Sequence, residues 1–182
     1  MFHSNTEQLI DYWRMRGGSG SVPSRASIDP ADIAALLPQI FMAGRRSAGQ
    51  YHLRLVGGFM ADLHGCDLRE ENLLRLWDAP NRERLQLALE VARRRAEPMV
   101  VECEAAAGDD LAMSMEVVMA PLTGPSGEVD RLLGLYQPTS PVAALRGRVV
   151  RTLSARAIRT AGGGREPAVR PRLAVVDGRR IA

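Results

Sequence analysis

Residues 23–41 of the chain read PSRASIDPADIAALLPQIF, and this stretch says most about how the chain folds. Asp29 is a favourable helix N-cap, and Pro30 fits the first turn of a helix. The apolar side chains that follow give this helix one buried side, and Pro38 ends it. The stretch therefore predicts a short capped helix that leads directly into a strand near Ile40.

Alternation of apolar and polar residues predicts five strands downstream of this entry. They cover residues 39–43, 50–56, 99–105, 111–119 and 131–137. Asp78 and Pro80 begin a longer helix between the second and third strands, and three consecutive arginines end it at position 95. Two strands, a group of helices and a three-stranded meander predict an α+β fold, a five-stranded antiparallel sheet with helices on one face.

The length of 182 residues suits one domain with two appendages. We expect an N-terminal helix and linker over residues 1–22, the domain over 23–140 and a separate tail over 141–182. Ser4 and Glu7 have the spacing of a capping box for the first helix.

The tail carries ten arginines against two acidic residues, whereas residues 1–140 have a formal charge of −5. Five apolar residues in the tail follow helical spacing, which predicts a basic amphipathic helix. They are Val142, Leu145, Val149, Leu153 and Ala157. Beyond the glycines at 162–164 we expect a mobile segment, with a short strand at 173–176 if it meets a sheet edge.

The chain resembles a family of bacterial stand-alone PAS proteins over about residues 9–138. The residues that carry the resemblance are Trp13, Arg16, Gly17, Pro23, Arg25, Asp29, Pro30, Ile33, Leu36, Leu37, Pro38, Ile40, Phe41, Tyr51, Arg54, Leu55, Gly57, Gly65, Leu68, Pro121, Leu122, Leu133 and Gly134. Gly58 departs from the family, which tends to have threonine there. The resemblance implies a PAS-like fold and a sensory or adaptor module without a catalytic centre of its own, and it supplies no ligand.

One apolar side of the predicted sheet faces the helices, where a PAS-like fold would hold a small ligand. The candidate pocket residues are Leu53, Leu55, Met99, Val101, Met113, Met115 and Leu135. The methionines would make such an interior adaptable. Ordinary core packing explains the same residues, so both interpretations stay open.

The cofactor is not identified by the sequence, and both haem and flavin are disfavoured. A haem needs an axial ligand, and no histidine lies between residues 78 and 97; His64 precedes that region, and His52 falls on the polar side of its strand. A light-sensing flavin domain needs a cysteine in a characteristic helix, and the residues around Cys66 do not match it.

Enzyme and metal signatures are absent from the sequence. The two cysteines, Cys66 and Cys103, have no metal-ligand spacing. Three glutamates at 102, 104 and 116 are predicted to share the polar side of the sheet, where we expect them to be solvated or paired with Arg54. We therefore expect a protein that is not an enzyme.

The function predicted from sequence is a PAS-type signalling module that acts through protein contacts, and tuning by a small ligand in the pocket is part of this hypothesis. The first helix offers Leu9, Ile10 and Trp13 as a candidate interface, and the sequence leaves open whether they pack within one chain or across a dimer. A homodimer and an unidentified signalling protein are the expected partners. Two alternatives stay open: a ligand-free structural adaptor, and association with nucleic acid or an anionic membrane surface through the tail. With no membrane span and no secretory signal evident, a cytoplasmic location is expected.

Overall fold

The computed structural model describes residues 1–18, 20–108 and 110–161. Within these residues the chain forms one antiparallel sheet. Its strands are β1 (Ile40–Ser47), β2 (Gln50–Val56), β3 (Met99–Ala106), β4 (Ala112–Thr123), β5 (Val129–Pro138) and β6 (Thr152–Thr160). They lie side by side in the order β2-β1-β5-β4-β3-β6. The predicted α+β class and antiparallel sheet are confirmed, but the sheet has six strands rather than five.

The helices lie between and before these strands. They are α1 (Ser4–Gly17), α2 (Gly58–His64) and α3 (Ala79–Arg95), with four 3₁₀ segments at Arg25–Ser27, Pro30–Gln39, Leu73–Leu76 and Val142–Leu145. The predicted cap is present: the Asp29 Oδ1 atom accepts a hydrogen bond from the Ala31 N–H at 2.9 Å. The segment after it is a 3₁₀ helix rather than an α-helix, because Ile33 has a non-helical backbone (φ −121°) and Pro38 breaks the regular hydrogen-bond pattern.

Both faces of the sheet are covered, because the predicted N-terminal helix lies on the face opposite to α2 and α3. On one side, called the inner face, α2 and α3 pack through Met60, Leu63, Leu85 and Leu89. On the other side, called the outer face, α1 and the Pro30–Gln39 segment form a second buried cluster with the central strands. The domain therefore has two cores separated by the sheet, and α1 closes the second of them.

The predicted amphipathic helix of the tail is wrong, because residues 152–160 form β6. This strand pairs with β3 along its whole length, with Ile158 beside Val101. It is fixed further by the Asp78 N–H, which donates to the Leu153 carbonyl oxygen at 2.9 Å. Of the predicted helix only a 3₁₀ turn at Val142–Leu145 forms. The expected glycine linker, mobile segment and short strand at 162–182 lie outside the described residues.

The start of α1 differs from the predicted capping box by one position. His3, not Ser4, is the N-cap, and its Nδ1 atom accepts a hydrogen bond from the Asn5 N–H at 3.2 Å. The helix ends at Gly17, and Gly18 follows with a positive φ (65°), which glycine adopts readily. Along the described ranges, no helix is both long and apolar enough to cross a membrane.

Candidate ligand-binding interior

Five of the seven predicted pocket residues come together on the inner face. Leu53, Met99, Val101, Met113 and Met115 belong to one buried cluster between the sheet and the helices. Each of these side chains is at most 2% exposed. The period-two alternation of β3 and β4 therefore placed the correct side chains toward α2 and α3.

Leu55 does not join this cluster, because a β-bulge lies between it and Leu53. Met42 on β1 pairs with Leu55, whereas the next residue, Ala43, pairs with Leu53, so Arg54 is an extra residue on β2. The extra residue reverses the alternation. Leu55 is consequently 41% exposed, and its successor Val56 packs against the inner cluster instead.

Leu135 is buried, but on the opposite side of the sheet from the predicted pocket. It belongs to the cluster beneath α1 together with Leu133. The inner-face residues of β5 are Leu132 and Tyr136. The sequence pattern located the strand correctly. Because apolar residues run continuously along it, the pattern did not determine which side chains point to which face of the sheet.

Three side chains with polar atoms, none of them among the predicted pocket residues, lie in the inner cluster or pack against it. They are His64 at the end of α2, Trp77 just before α3, and Tyr136 on β5. Within the described part of the chain, the His64 Nε2 atom, the Trp77 Nε1–H and the Tyr136 hydroxyl are buried without a hydrogen-bond partner. Buried polar atoms are normally paired, so these three mark the interior as chemically unusual.

Two of the three are direct neighbours. The ring centroids of His64 and Tyr136 are 5.9 Å apart, and Phe41 packs edge-on against Tyr136 at 5.7 Å. A tyrosine inside the otherwise apolar β5 was the available sequence signal, because a buried tyrosine hydroxyl normally requires a partner. His64 gave no such signal, since its burial depends on where α2 docks.

The interior groups are held in their neutral forms. Burial raises the pKa of Tyr136 well above its usual value. Burial lowers the pKa of His64, although a hydrogen bond to the Val150 backbone opposes this change. Because Nε2 has no partner, that bond assigns the proton to Nδ1 and leaves Nε2 as an acceptor. The interior thus offers two neutral donors and one neutral acceptor.

A large planar cofactor does not fit this interior as it is packed. Phe41, Trp77 and Tyr136 are fully buried there, and a haem or flavin ring would have to displace them. Cys66 is exposed rather than directed into the core, and Cys103 is buried. Burial raises the pKa of the Cys103 thiol to about 12, with Glu104 adding to the effect. Neither cysteine therefore presents an activated thiolate to the interior.

The candidate interface residues of the first helix are buried within the chain itself. Leu9, Ile10 and Trp13 are 0, 3 and 5% exposed and pack on the outer face of the sheet. The Trp13 Nε1–H also donates to the Pro121 carbonyl oxygen at 2.6 Å. The question left open by the sequence is answered in favour of packing within one chain, and these three side chains do not form a free contact surface.

Polar contacts hold the beginning of α1 to the sheet. The His3 N–H faces both carboxylate oxygens of Glu116, at 3.2 and 3.0 Å. The Asn5 Nδ2–H donates to the Gln137 Oε1 atom at 2.9 Å. Glu116 and Gln137 are only 7 and 5% exposed, so these bonds satisfy polar groups that would otherwise be buried without partners.

The three glutamates predicted to share one side of the sheet do lie on the outer face, where Glu102 is directly opposite Glu116. Their partners differ from the expectation. Glu102 pairs with Arg159 at 3.0 Å, and Glu104 pairs with Arg156, both arginines belonging to β6. The expected partner Arg54 pairs with Glu70 instead. Across the described residues, no group of acidic, histidine and cysteine side chains could hold a metal ion.

An antiparallel sheet with α2 and α3 on its inner face and α1 on its outer face is typical of a small α+β domain of the PAS type. A family model described as "PAS domain" matches residues 1–137. The chain belongs to this family. No curated protein matches the chain.

Three solved structures illustrate what the chain is similar to. A light-oxygen-voltage domain studied with a flavin analogue is 17% identical, with a TM-score of 0.46 over 63% of this chain and 86% of that one. The dark structure of the blue-light photoreceptor Aureochrome1 LOV is 12% identical, with a TM-score of 0.46 over 62% of this chain and 83% of that one. A Rhodobacter sphaeroides LOV protein is 11% identical, with a TM-score of 0.47 over 63% of this chain and 70% of that one. Similarity at this level supports no statement about ligand or activity.

Proposed function

We propose that the chain is a non-catalytic PAS signalling module whose contacts with a partner protein are tuned by a small molecule bound at the inner face. The observation that carries this proposal is the Tyr136 hydroxyl, which is fully buried and has no hydrogen-bond partner among the described residues. A buried donor without a partner is destabilising by about 1–3 kcal/mol. A bound molecule that accepts this hydrogen bond would remove the penalty.

The chemistry of the neighbours limits the class of ligand. Tyr136 donates, and the His64 Nε2 atom accepts, so one molecule with an acceptor and a donor would satisfy both. The surrounding side chains are apolar and aromatic, which disfavours an ion. The proposed ligand is therefore a small neutral molecule with mixed hydrogen-bonding character.

Two sets of contacts connect the region around His64 and Tyr136 to the rest of the protein. His64 ends α2, and the adjacent Leu63 carbonyl oxygen accepts a hydrogen bond from the Val150 N–H at 2.8 Å, just before β6. Gly65 follows with φ 66°, and a Cβ atom there would lie 2.6 Å from the Val149 Cγ1 atom. A shift of α2 would therefore act on the segment that leads into β6. The second set of contacts passes through β5 to α1.

The ligand proposal is tested by comparing native and denatured mass spectra of the purified chain. We expect the native spectrum to carry an additional small mass that is lost on denaturation. Tyr136→Phe should weaken ligand binding by about tenfold, which corresponds to the loss of one buried hydrogen bond, and should lower the occupied fraction accordingly. Tyr12→Phe is the matched control, since the Tyr12 hydroxyl bonds the Asp29 backbone on the outer side. Equal occupancy in both variants would contradict the proposed site.

The ligand-free adaptor is the second candidate, and close packing favours it. The edge-on contact of Phe41 with Tyr136 and the full burial of Trp77 leave the inner cluster filled by its own side chains. A native mass equal to that of the polypeptide in every preparation would support this function over the ligand-tuned one. The same spectrum tests the predicted homodimer, which would need a surface other than Leu9, Ile10 and Trp13.

A further inference from the structure

A separate place of interest lies on the outer face, above Gly44 of β1. Gly44 pairs with His52 on β2 and with Arg131 on β5. Because glycine has no side chain, guanidinium groups from the neighbouring strands fill the space above it. A Cβ atom on Gly44 would lie 3.3 Å from the Arg131 Nη1 atom and 3.5 Å from the Arg54 Nε atom. Two like charges therefore converge on one point of the sheet surface.

The nearby carboxylates neutralise these arginines only in part. Arg131 pairs with Asp130 at 3.0 Å, and Arg54 pairs with Glu70. Glu70 is shared, since its second oxygen pairs with Arg46 at 3.0 Å. Three guanidinium groups thus face two carboxylates, which leaves one positive charge in excess.

Donors also remain available on the two converging groups. In the described part of the chain, Arg54 and Arg131 make their side-chain hydrogen bonds and ion pairs through Nη1 alone. The Nε–H and Nη2–H groups of both residues are left for another acceptor. The side chains are 44 and 34% exposed, so a ligand can reach them from solvent.

We propose that Arg54 and Arg131 form a binding site for a phosphate-type oxyanion above Gly44. A planar carboxylate is matched by a single guanidinium fork, whereas a tetrahedral anion can accept from two forks that approach from different directions. Free inorganic phosphate and a phosphate ester on a larger molecule share this chemistry. The site is on the opposite side of the sheet from the inner cluster and does not depend on the ligand proposed there.

The test is a titration of the ¹⁵N-labelled chain with inorganic phosphate, followed by amide chemical shifts, against sodium chloride at equal ionic strength. We expect saturable shifts at Gly44, Arg54 and Arg131 with phosphate only. O-phosphoserine in place of phosphate distinguishes the sources: saturation at the same amides assigns the site to phosphate esters as well, and saturation by phosphate alone assigns it to the free anion. Shifts that do not saturate, or that chloride reproduces, would overturn the proposal.

Gly44→Ala is the decisive variant because it changes no charge. Gly44 does not have a positive φ, so the strand tolerates alanine, while the new Cβ occupies the point where the two groups converge. We expect at least about tenfold weaker phosphate binding, equivalent to losing one charged hydrogen bond. Arg131→Gln should give a similar loss, which keeps the test valid if the alanine variant folds poorly.

Arg94→Gln is the matched control, since it removes one exposed positive charge near the end of α3, which packs on the inner face of the sheet. Its phosphate affinity should equal that of the unmodified chain. Equal losses of affinity in Arg131→Gln and in the control variant, with none in Gly44→Ala, would show general charge attraction and would overturn the assigned site. Unchanged binding in both Gly44→Ala and Arg131→Gln would overturn it as well.

Discussion

Tyr136 and Gln137 are consecutive on β5 and face opposite sides of the sheet, each in contact with a different helix. Tyr136 lies in the inner cluster beside His64 of α2. Gln137 accepts a hydrogen bond from Asn5 of α1 on the outer face. A change in the position of Tyr136 therefore acts, through one peptide unit, on the contact that holds the start of α1. These two residues therefore connect the candidate ligand site directly with the outer layer.

Replacing Gln137 with leucine should loosen α1 while the inner cluster stays intact. The Asn5 side-chain amide loses its acceptor in a partly buried place, so we expect a loss of about 1–2 kcal/mol in the free energy of unfolding. Amide hydrogen exchange should speed up in the first two turns of α1 and stay unchanged in α3.

Gln8→Leu provides the control for this substitution. Gln8 is exposed on the same helix, so the change of side chain is identical but no docking contact is lost. Exchange in α1 should then match the unmodified chain. If the two variants exchange at the same rate, the Asn5–Gln137 contact does not hold the helix.

Glu90 on α3 joins the helix to the β1–β2 hairpin, and its contribution to the free energy of unfolding should depend on pH. Its carboxylate accepts from the Tyr51 hydroxyl at 2.7 Å, from Arg45 at 2.9 Å and from Arg93 at 3.1 Å. Burial alone would raise the pKa of Glu90, but these hydrogen bonds outweigh it and the pKa is lowered. The stabilisation is therefore present above the unfolded-state pKa of about 4.3 and is lost as the pH falls through the lower folded-state value.

Glu90→Gln should accordingly be less stable than the unmodified chain by about 1–3 kcal/mol at pH 7. The difference in the free energy of unfolding between the variant and the unmodified chain should narrow steadily as the pH falls below about 4. Urea unfolding at each pH measures it. Glu83→Gln, at an exposed position of the same helix, should show no such dependence. A difference that stayed constant from pH 7 to pH 3 would mean that the carboxylate charge is not the source of the stabilisation.

The parts of the fold that follow from local patterns were predictable from the sequence. Asp29 caps its segment, Asp78 caps α3 and the glycines at 17 and 18 end α1. The alternation in β3 and β4 also assigned four candidate pocket residues to the correct side, and that in the first half of β2 assigned a fifth, Leu53. These features depend on side chains that act within a few residues of their own position.

What the sequence could not supply depends on partners far away in the chain. Leu55 faces outward because Arg54 is an extra residue opposite β1, and no local pattern reveals a bulge in the pairing. Residues 142–157 satisfy a helical period, but β3 provides an open edge that pairs with residues 152–160. Tertiary pairing therefore overrode the local periodicity. His64 was overlooked for the same reason, since docking of α2 decides its burial.

Gly134 on β5 is a point where the inner face tolerates no side chain. It is paired with Phe41 of β1, and a Cβ atom at Gly134 would overlap the Phe41 ring at Cζ and both Cε atoms. The ring cannot move freely, because it also packs edge-on against Tyr136. Gly134→Ala should therefore lower the free energy of unfolding by about 1–3 kcal/mol through overpacking.

The matched control is Gly58→Ala in α2, where a Cβ atom would meet nothing within 4 Å. Because alanine is the better helix former, this variant should be as stable as the unmodified chain or more stable by up to about 1 kcal/mol. Adding Phe41→Leu to Gly134→Ala should recover part of the loss, since a smaller side chain leaves room for the new methyl group. Thermal and urea unfolding of the double-mutant cycle measure this coupling. Purely additive losses would show that Phe41 is not what excludes a side chain at position 134.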